Sequence, residues 1–189
     1  MKAYRIALAL LFAPLISVAN TSPIENVVAP GGNVVYYIMG TPEDAKNGGG
    51  GSEIEVKNFK TSQSDILLKA TPSNEPKDNL GGFSRLRLSP DSKNLYFQSM
   101  AWATSDAIHS LDIASKKTKY ITDGNLVCVV GAGEYQGNLI VQQHRYFVQG
   151  GSYDFLYLYN SDGKSEGLVS TDTIEKVDLL KLCQSMTID

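Results

Sequence analysis

Apolar and polar residues alternate along much of the chain, and short turn sequences interrupt the alternation. Leu86 and Leu88 are separated by one polar residue, and the same spacing returns at Leu95 and Phe97. A period of two is typical of β-strands. The intervening turn, Ser89-Pro-Asp-Ser-Lys-Asn, contains a proline that fixes φ and an aspartate that bonds local backbone. This stretch therefore predicts a β-hairpin.

A second hairpin follows directly. Ile108, Leu111 and Ile113 mark a third strand, and Tyr120-Ile121 marks a fourth after the turn Ala-Ser-Lys-Lys. Four antiparallel strands in about 40 residues have the size of one blade of a β-propeller.

The same arrangement occurs once upstream and once downstream. Asn33, Asn94 and Asn138 take equivalent positions in the three copies, and the inner loops differ in length. Internal repetition of this kind indicates stacked copies of one supersecondary unit. The upstream copy has its first hairpin at 27–38 and its second at 53–59 and 65–68. In the downstream copy 129–130 leads to 135–141, and 155–164 turns toward 167–169.

Ser89-Pro-Asp-Ser-Lys-Asn-Leu-Tyr-Phe97, followed by Ile108-His-Ser-Leu-Asp112, resembles the Pro-Asp-Gly-Lys repeat of TolB-type β-propellers. The first copy has Pro30-Gly-Gly-Asn at this place, and the third lacks the proline. The resemblance implies an all-β fold, a small propeller-like assembly of three to four antiparallel four-stranded units. A fourth unit would be built from residues 20–26 and 170–189; the alternative is an open stack of three.

Two segments fit this frame less simply. The Gly48–Ser52 run has the composition of a flexible linker and is interpreted as a long hairpin loop in the first unit. The segment from Thr173 to Cys183 fits a helix face through Ile174, Val177 and Leu180, and it also fits a strand. We expect a short helix or strand there.

The N-terminus has the features of a secretory signal peptide. Lys2 and Arg5 precede an apolar run that ends in Ser17-Val-Ala19, where small residues occupy the positions that a signal peptidase reads. The run is short for a membrane span, which needs about 20 residues. We therefore expect residues 1–19 to be removed, residues 20–189 to form one domain in the periplasm, and no stable membrane insertion.

The two cysteines acquire a role in that compartment. Cys128 and Cys183 would meet oxidising conditions and are expected to form a disulfide. Two buried free thiols are the alternative.

Composition excludes several classes of function. A net charge of −3 with dispersed lysines argues against a nucleic-acid partner. Two His and two Cys supply little material for a metal site, so we expect neither a metal nor another cofactor. The chain has no Gly-x-Ser-x-Gly elbow, phosphate-binding loop or His-Glu-x-x-His motif. We expect no catalytic residues.

The histidines are interpreted structurally. His109 is expected to point outward from its strand as a solvated or packed side chain. His144 or Arg145 is expected to pair with Asp154 across a hairpin in a network that holds the inner loop of the third unit. A general base at His144, assisted by Asp154, is the enzymatic alternative, and contact with a partner is the third.

Loop positions point to a binding surface. In propeller-like units the loops between the second and third strands share one face; here these are Gly40–Ser52, Ser99–Asp106 and Gln149–Asp154. Exposed Trp and Tyr beside small polar residues are typical of protein-binding hot spots, although Trp102 could instead fold back and cap the core. The predicted partner-binding residues are Trp102, Ala103, Thr104, Ser105, Tyr146, Ser152 and Tyr153.

In compartment, size and class the chain is similar to the periplasmic immunity proteins that neutralise cell-wall-degrading effectors of type VI secretion. This resemblance implies a protein partner such as a secreted peptidoglycan hydrolase, whose active site a loop around Trp102 would occlude. One alternative is an envelope scaffold of TolB type, and another is a small hydrolase.

Overall fold

The computed structural model describes residues 21–47, 49–172 and 174–185. This part of the chain contains eleven strands and two short helices. The elements are β1 (Ser22–Val28), β2 (Val34–Gly40), α1 (Pro42–Asn47), β3 (Glu53–Asn58), β4 (Gln63–Lys69), β5 (Ser84–Leu88), β6 (Asn94–Ser99), β7 (Asp106–Asp112), β8 (Thr118–Val129), β9 (Leu139–Tyr146), β10 (Ser152–Tyr159), β11 (Ser165–Ser170) and α2 (Leu179–Gln184), with a 3₁₀ turn at Ile174–Lys176.

The strands form two antiparallel sheets in which sequence neighbours pair. The first sheet has the order β1-β2-β3-β4, and the second runs from β5 to β11 in sequence order. The all-β prediction is therefore confirmed, and each hairpin predicted from the alternation is present. The signal peptide predicted at residues 1–19 lies outside the described residues.

Strand β8 belongs to two hairpins. Its first part pairs with β7 from Thr118 to Gly124, and its second part pairs with β9 from Asn125. Gly124 marks the change with a φ of +130°, and a Cβ atom there would lie 2.6 Å from Val141 Cγ1. Only glycine accommodates both that backbone and that close approach.

Apolar side chains fill the spaces between neighbouring groups of strands. One cluster, with Ile38, Ile54 and Phe97, joins the first sheet to β5–β7. A second cluster, with Ile108 and Leu126, joins β7 to β8 and β9. Both faces of β6 and of β7 are therefore buried, one face in each cluster. A strand at the surface of a sheet would instead have one solvated face.

The C-terminal segment covers the far side of β9 and β10. Val177 and Leu182 pack on a third apolar cluster that contains Leu156. The disulfide joins Cys128 to Cys183 with a Cα–Cα distance of 6.0 Å, which confirms the predicted pairing. The ambiguous segment is helical at α2, where the Asp178 side chain accepts a hydrogen bond from Lys181 N.

The glycine run lies in the long connection of the β2–β3 hairpin, as its composition predicts, but its end is packed against other backbone. Gly51 and Phe83 exchange two backbone hydrogen bonds of 2.8 Å. A Cβ atom on Gly50 would lie 2.1 Å from the carbonyl carbon of Gly82. These glycines let two backbones approach closely, so this end of the run is part of the packed structure.

Candidate functional site

Several loops meet at one end of the sheets, which we call the loop face. It comprises residues 41–47 and 49–52 after β2, 70–83 after β4, 100–105 after β6 and 147–151 after β9. The first two meet at the pairing of Gly51 with Phe83, and Met100 N donates to Gly81 O at 3.0 Å.

The loop after β6 forms one wall of a cleft. Its turn is closed by a 2.9 Å hydrogen bond from Trp102 N to Ser105 O. Trp102 is 38% exposed and belongs to none of the apolar clusters of the described residues. The cleft has a volume of about 320 Å³ and is lined by Lys77, Trp102, Thr104, Ser105, Tyr120 and Asp123.

Three of the predicted partner-binding residues therefore line one cleft: Trp102, Thr104 and Ser105. Ala103 lies exposed at the tip of the same turn.

The loop after β9 exposes apolar side chains at the tip of a hairpin. Tyr146 is 70% exposed, Phe147 50% and Val148 fully. The Phe147 and Tyr153 rings are 4.6 Å apart between centroids, and Tyr153 continues to Phe155 at 4.3 Å. Stacking against Tyr153 holds Phe147 in place while the other side of its ring faces solvent. We call residues 146–151 the hairpin tip.

An ion pair connects the cleft to the hairpin tip. The Arg145 guanidinium donates to both carboxylate oxygens of Asp123 at 2.7 and 3.1 Å. A bidentate arginine–carboxylate pair fixes geometry as well as charge, and the hydrogen bond to Asp123 raises the pKa of Arg145. Since Asp123 lines the cleft and Tyr146 follows Arg145, this ion pair links the cleft to the base of the hairpin tip.

His144, rather than Arg145, pairs with Asp154. His144 Nδ1 lies 2.8 Å from Asp154 Oδ1, and their residues are direct neighbours across β9 and β10. Ser152 is exposed two residue pairs away from this contact, opposite Tyr146. Within the described ranges His144 contacts Asp154, the Tyr146 ring and Arg145, whose guanidinium donates to the His144 carbonyl oxygen. This is the arrangement of a network that braces a hairpin.

Two exposed residues of the hairpin tip were missed by the sequence analysis. Phe147 and Val148 follow Tyr146 in an unbroken apolar run immediately before Gln-Gly-Gly. Three consecutive apolar residues beside a glycine turn break the strand alternation, and that was the available signal. In the described ranges no group of three or more His, Cys, Asp and Glu side chains is placed to hold a metal ion.

His109 is packed rather than solvated, and the expectation that it points outward from its strand is wrong. His109 is 2% exposed, its Nε2 atom lies 3.0 Å from Ser99 Oγ, and its ring stacks on Phe97 at 5.4 Å. His109 and Ile108 point to opposite faces of β7, and both faces are covered. Ser99 is fully buried as well, so this serine–histidine pair has no access to a substrate.

Burial lowers the pKa of His109 to about 4, against a smaller opposing effect of Asp78. In the unfolded chain the His109 imidazole is protonated below about pH 6.5, whereas in the folded chain it is protonated only below about pH 4. The contribution of His109 to the free energy of unfolding is therefore fully present above pH 6.5. It is lost as the pH drops towards 4, by about 3 kcal/mol in total. We expect His109→Gln to flatten this part of the profile in urea unfolding at pH 4 to 7.

His144→Gln is the matched control, because it removes the only other histidine of the sequence. An unchanged slope in His109→Gln would contradict the assignment of the acid sensitivity to His109.

No helix in the described part of the chain is long and apolar enough to cross a membrane. No protein-family model matches the sequence, and no curated protein matches it either.

Solved structures do resemble the fold. One is the β-propeller domain of the Trilobed protease from Pyrococcus furiosus, with a TM-score of 0.50 and 16% identity over 78% of this chain and 43% of that one. Another is an acylaminoacyl peptidase in complex with Z-Gly-Gly-Phe-chloromethyl ketone, with a TM-score of 0.53 and 12% identity over 82% of this chain and 26% of that one.

TolB from Acinetobacter baumannii also matches, with a TM-score of only 0.33 and 13% identity over 74% of this chain and 41% of that one. The chain spans less than half the length of each of these three proteins. At such identities the likeness concerns the fold alone. Together with the sheet order, it shows that this chain has a β-propeller-like fold.

Proposed function

We propose that this chain is a protein-binding module that docks through its loop face. The observation that carries the proposal is the exposure of Trp102, Phe147 and Val148 on two loops at the same end of the sheets. Apolar surface of this kind is costly to leave in water and is typical of interaction sites. Tryptophan and tyrosine beside a cleft are the residue types that dominate binding energy at protein interfaces.

The framework suits this role. In our interpretation the chain forms three four-stranded units, with β8 contributing its first part to the second unit and its second part to the third. The disulfide-linked C-terminal segment then covers the side where a further unit would pack. Such a scaffold holds the loop after β6 and the loop after β9 rigidly, which lowers the entropy cost of binding.

We further propose that the module acts outside the cytoplasm, in the periplasm after loss of residues 1–19, and that it inhibits a cell-wall-degrading enzyme. The Cys128–Cys183 disulfide supports an oxidising compartment. The protruding hairpin tip would enter the substrate groove of the target while the Trp102 turn packs on its rim. Occlusion needs no chemistry from the inhibitor.

The test is capture of partners from the periplasmic fraction of the native organism, with wild type and single variants compared quantitatively. Trp102→Ala and Phe147→Ala are expected each to weaken binding of the same partner at least 30-fold, which is about 2 kcal/mol. Phe59→Ala is the matched control, because Phe59 is 51% exposed, like Phe147 at 50%, but lies in the turn after β3. Affinities are then measured with the purified partner.

The outcomes separate the levels of the proposal. A partner hydrolase whose turnover stops on binding supports inhibition. An envelope protein held through the same residues supports protein binding but replaces inhibition with a scaffold role. If Trp102→Ala and Phe147→Ala capture their partners as well as wild type does, the loop face is not the binding site.

A further inference from the structure

A polar cleft lies at the opposite end of β6 from the Trp102 turn. Strand β6 begins at Asn94 and ends at Ser99, so its two ends are separated by about 17 Å. At the starting end, the turn after β5 meets the loop after β8 and the turn after β10. We call this depression the Tyr96 cleft; the protein-binding proposal makes no use of it.

The Tyr96 cleft has two adjoining lobes of about 360 and 400 Å³ that share Asn94, Tyr96 and Ser161. Each lobe lies within the size range of small-molecule sites. The first lobe is completed by Ser89, Pro90, Asp91, Gln136 and Gly137, and the second by Ser110, Asp112, Ser115, Lys117, Thr118, Lys119 and Asp162.

The Tyr96 side chain is the feature that makes this cleft more than a gap between turns. Tyr96 is 98% buried, since 2% of it is exposed, yet it lines both lobes. Its hydroxyl has no hydrogen-bond partner among the described residues, and it is not sealed from solvent. A buried tyrosine normally has a partner for its hydroxyl. Here the hydroxyl opens onto the cleft, where a bound ligand could supply that partner.

Other uncharged groups around Tyr96 are unused in the same way. Within the described ranges, the side chains of Asn94, Ser110 and Ser161 make no hydrogen bond. Together with the tyrosine hydroxyl they offer both donors and acceptors. Burial, with the nearby Asp91 and Asp162 carboxylates, raises the pKa of Tyr96 to about 12, so its hydroxyl keeps its proton at neutral pH.

The three carboxylates of the cleft are already engaged. Asp91 accepts from Ser89 Oγ at 2.7 Å, and Asp112 accepts from Ser115 Oγ at 2.7 Å. Asp162 pairs with Lys119 at 3.0 Å. A bound cation would leave the amide and hydroxyl donors unsatisfied. An anion would meet three carboxylates, which outnumber the two lysines, Lys117 and Lys119, of the same cleft. A neutral ligand with many hydroxyl groups satisfies donors and acceptors together.

We propose that the Tyr96 cleft binds a neutral saccharide of one to two rings, held by hydrogen bonds from Tyr96, Asn94 and Ser161. This would be a second site on the molecule, separate from the loop face. Its position on turns anchored by β6 and β8 makes it preformed, with no closure needed to bind.

The test is ligand-observed NMR followed by calorimetric titration of the disulfide-bonded protein. The probes are glucose, N-acetylglucosamine, cellobiose and diacetylchitobiose, with spermidine and inorganic phosphate as charged competitors. We expect at least one saccharide to bind and Tyr96→Phe, which removes only the hydroxyl, to weaken it about tenfold. Tyr159→Phe is the matched control, because its hydroxyl donates to Gln143 at 3.0 Å, away from the cleft.

A saccharide that binds Tyr96→Phe as well as wild type would overturn the placement. Binding of none of the four saccharides at millimolar concentration would overturn the ligand class, as would displacement of a bound saccharide by spermidine or phosphate. Unfolding of Tyr96→Phe in urea, compared with Tyr159→Phe, checks that a loss of binding is not a loss of fold. Ser161→Ala provides a second variant on an exposed turn, with a weaker expected effect in the same direction.

Discussion

Gly51→Ala is expected to lower the free energy of unfolding by about 3 kcal/mol, near the upper end of the usual range for overpacking. A Cβ atom at Gly51 would lie 2.2 Å from Ile38 Cγ2 and 2.6 Å from Met39 O. Ile38 is fully buried in the core between the sheets, so it cannot move aside without disturbing its neighbours. The carbonyl oxygen belongs to β2 and is equally fixed.

The same substitution also strains the link between the two sheets, because Gly51 exchanges two hydrogen bonds with Phe83. Urea unfolding followed by circular dichroism measures the loss. Gly49→Ala is the matched control from the same glycine run. A Cβ atom there would meet Asp44 at 3.4 Å, an ordinary contact, and we expect a change within about 0.5 kcal/mol. Equal stability of the two variants would show that the close approach at Gly51 is absent in solution.

Removing the disulfide is the second large perturbation. Cys128 and Cys183 are 55 residues apart, and cross-linking a loop of that length stabilises a protein by about 4 kcal/mol in the chain-entropy model. The bond also holds α2 on the apolar cluster around Leu156. We expect Cys183→Ala to lose about 2 to 4 kcal/mol, measured by urea unfolding without reductant.

A double-mutant cycle tests whether the bond itself is responsible. Cys128→Ala, Cys183→Ala and the double variant are expected to have the same stability within about 0.5 kcal/mol. Wild type with excess reductant should approach that value. Additive losses in the double variant would mean that each side chain contributes by packing, and an unaffected Cys183→Ala would mean that α2 is peripheral to stability.

The loop face and the Tyr96 cleft lie at opposite ends of β6, so their variants provide controls for one another. Phe147→Ala should leave saccharide binding intact, and Tyr96→Phe should leave protein binding intact. Loss of both activities in either variant would indicate general damage to the fold.

The sequence by itself determined the local structure. Alternation at Leu86, Leu88, Leu95 and Phe97 predicted the strands, because one residue in two faces the core of a sheet. The Ser-Pro-Asp-Ser-Lys-Asn turn predicted its own conformation, since Ser89 and Asp91 bond within it. These signals depend on residues that are close along the chain. They also placed Trp102 in a loop rather than in a strand.

Only the tertiary structure decided which faces and ends meet. His109 is buried because a second layer covers its side of β7, and no local pattern encodes that layer. Gly50 is required because the backbone at Gly82, 32 residues later, runs beside it. The hairpin tip is linked to the cleft that Trp102 lines because Arg145 pairs with Asp123. Tyr96 reads as an ordinary strand residue, and its unpartnered hydroxyl arises where turns from three separate hairpins converge. Contacts between segments distant in sequence set burial, and burial decides which side chains remain available for binding.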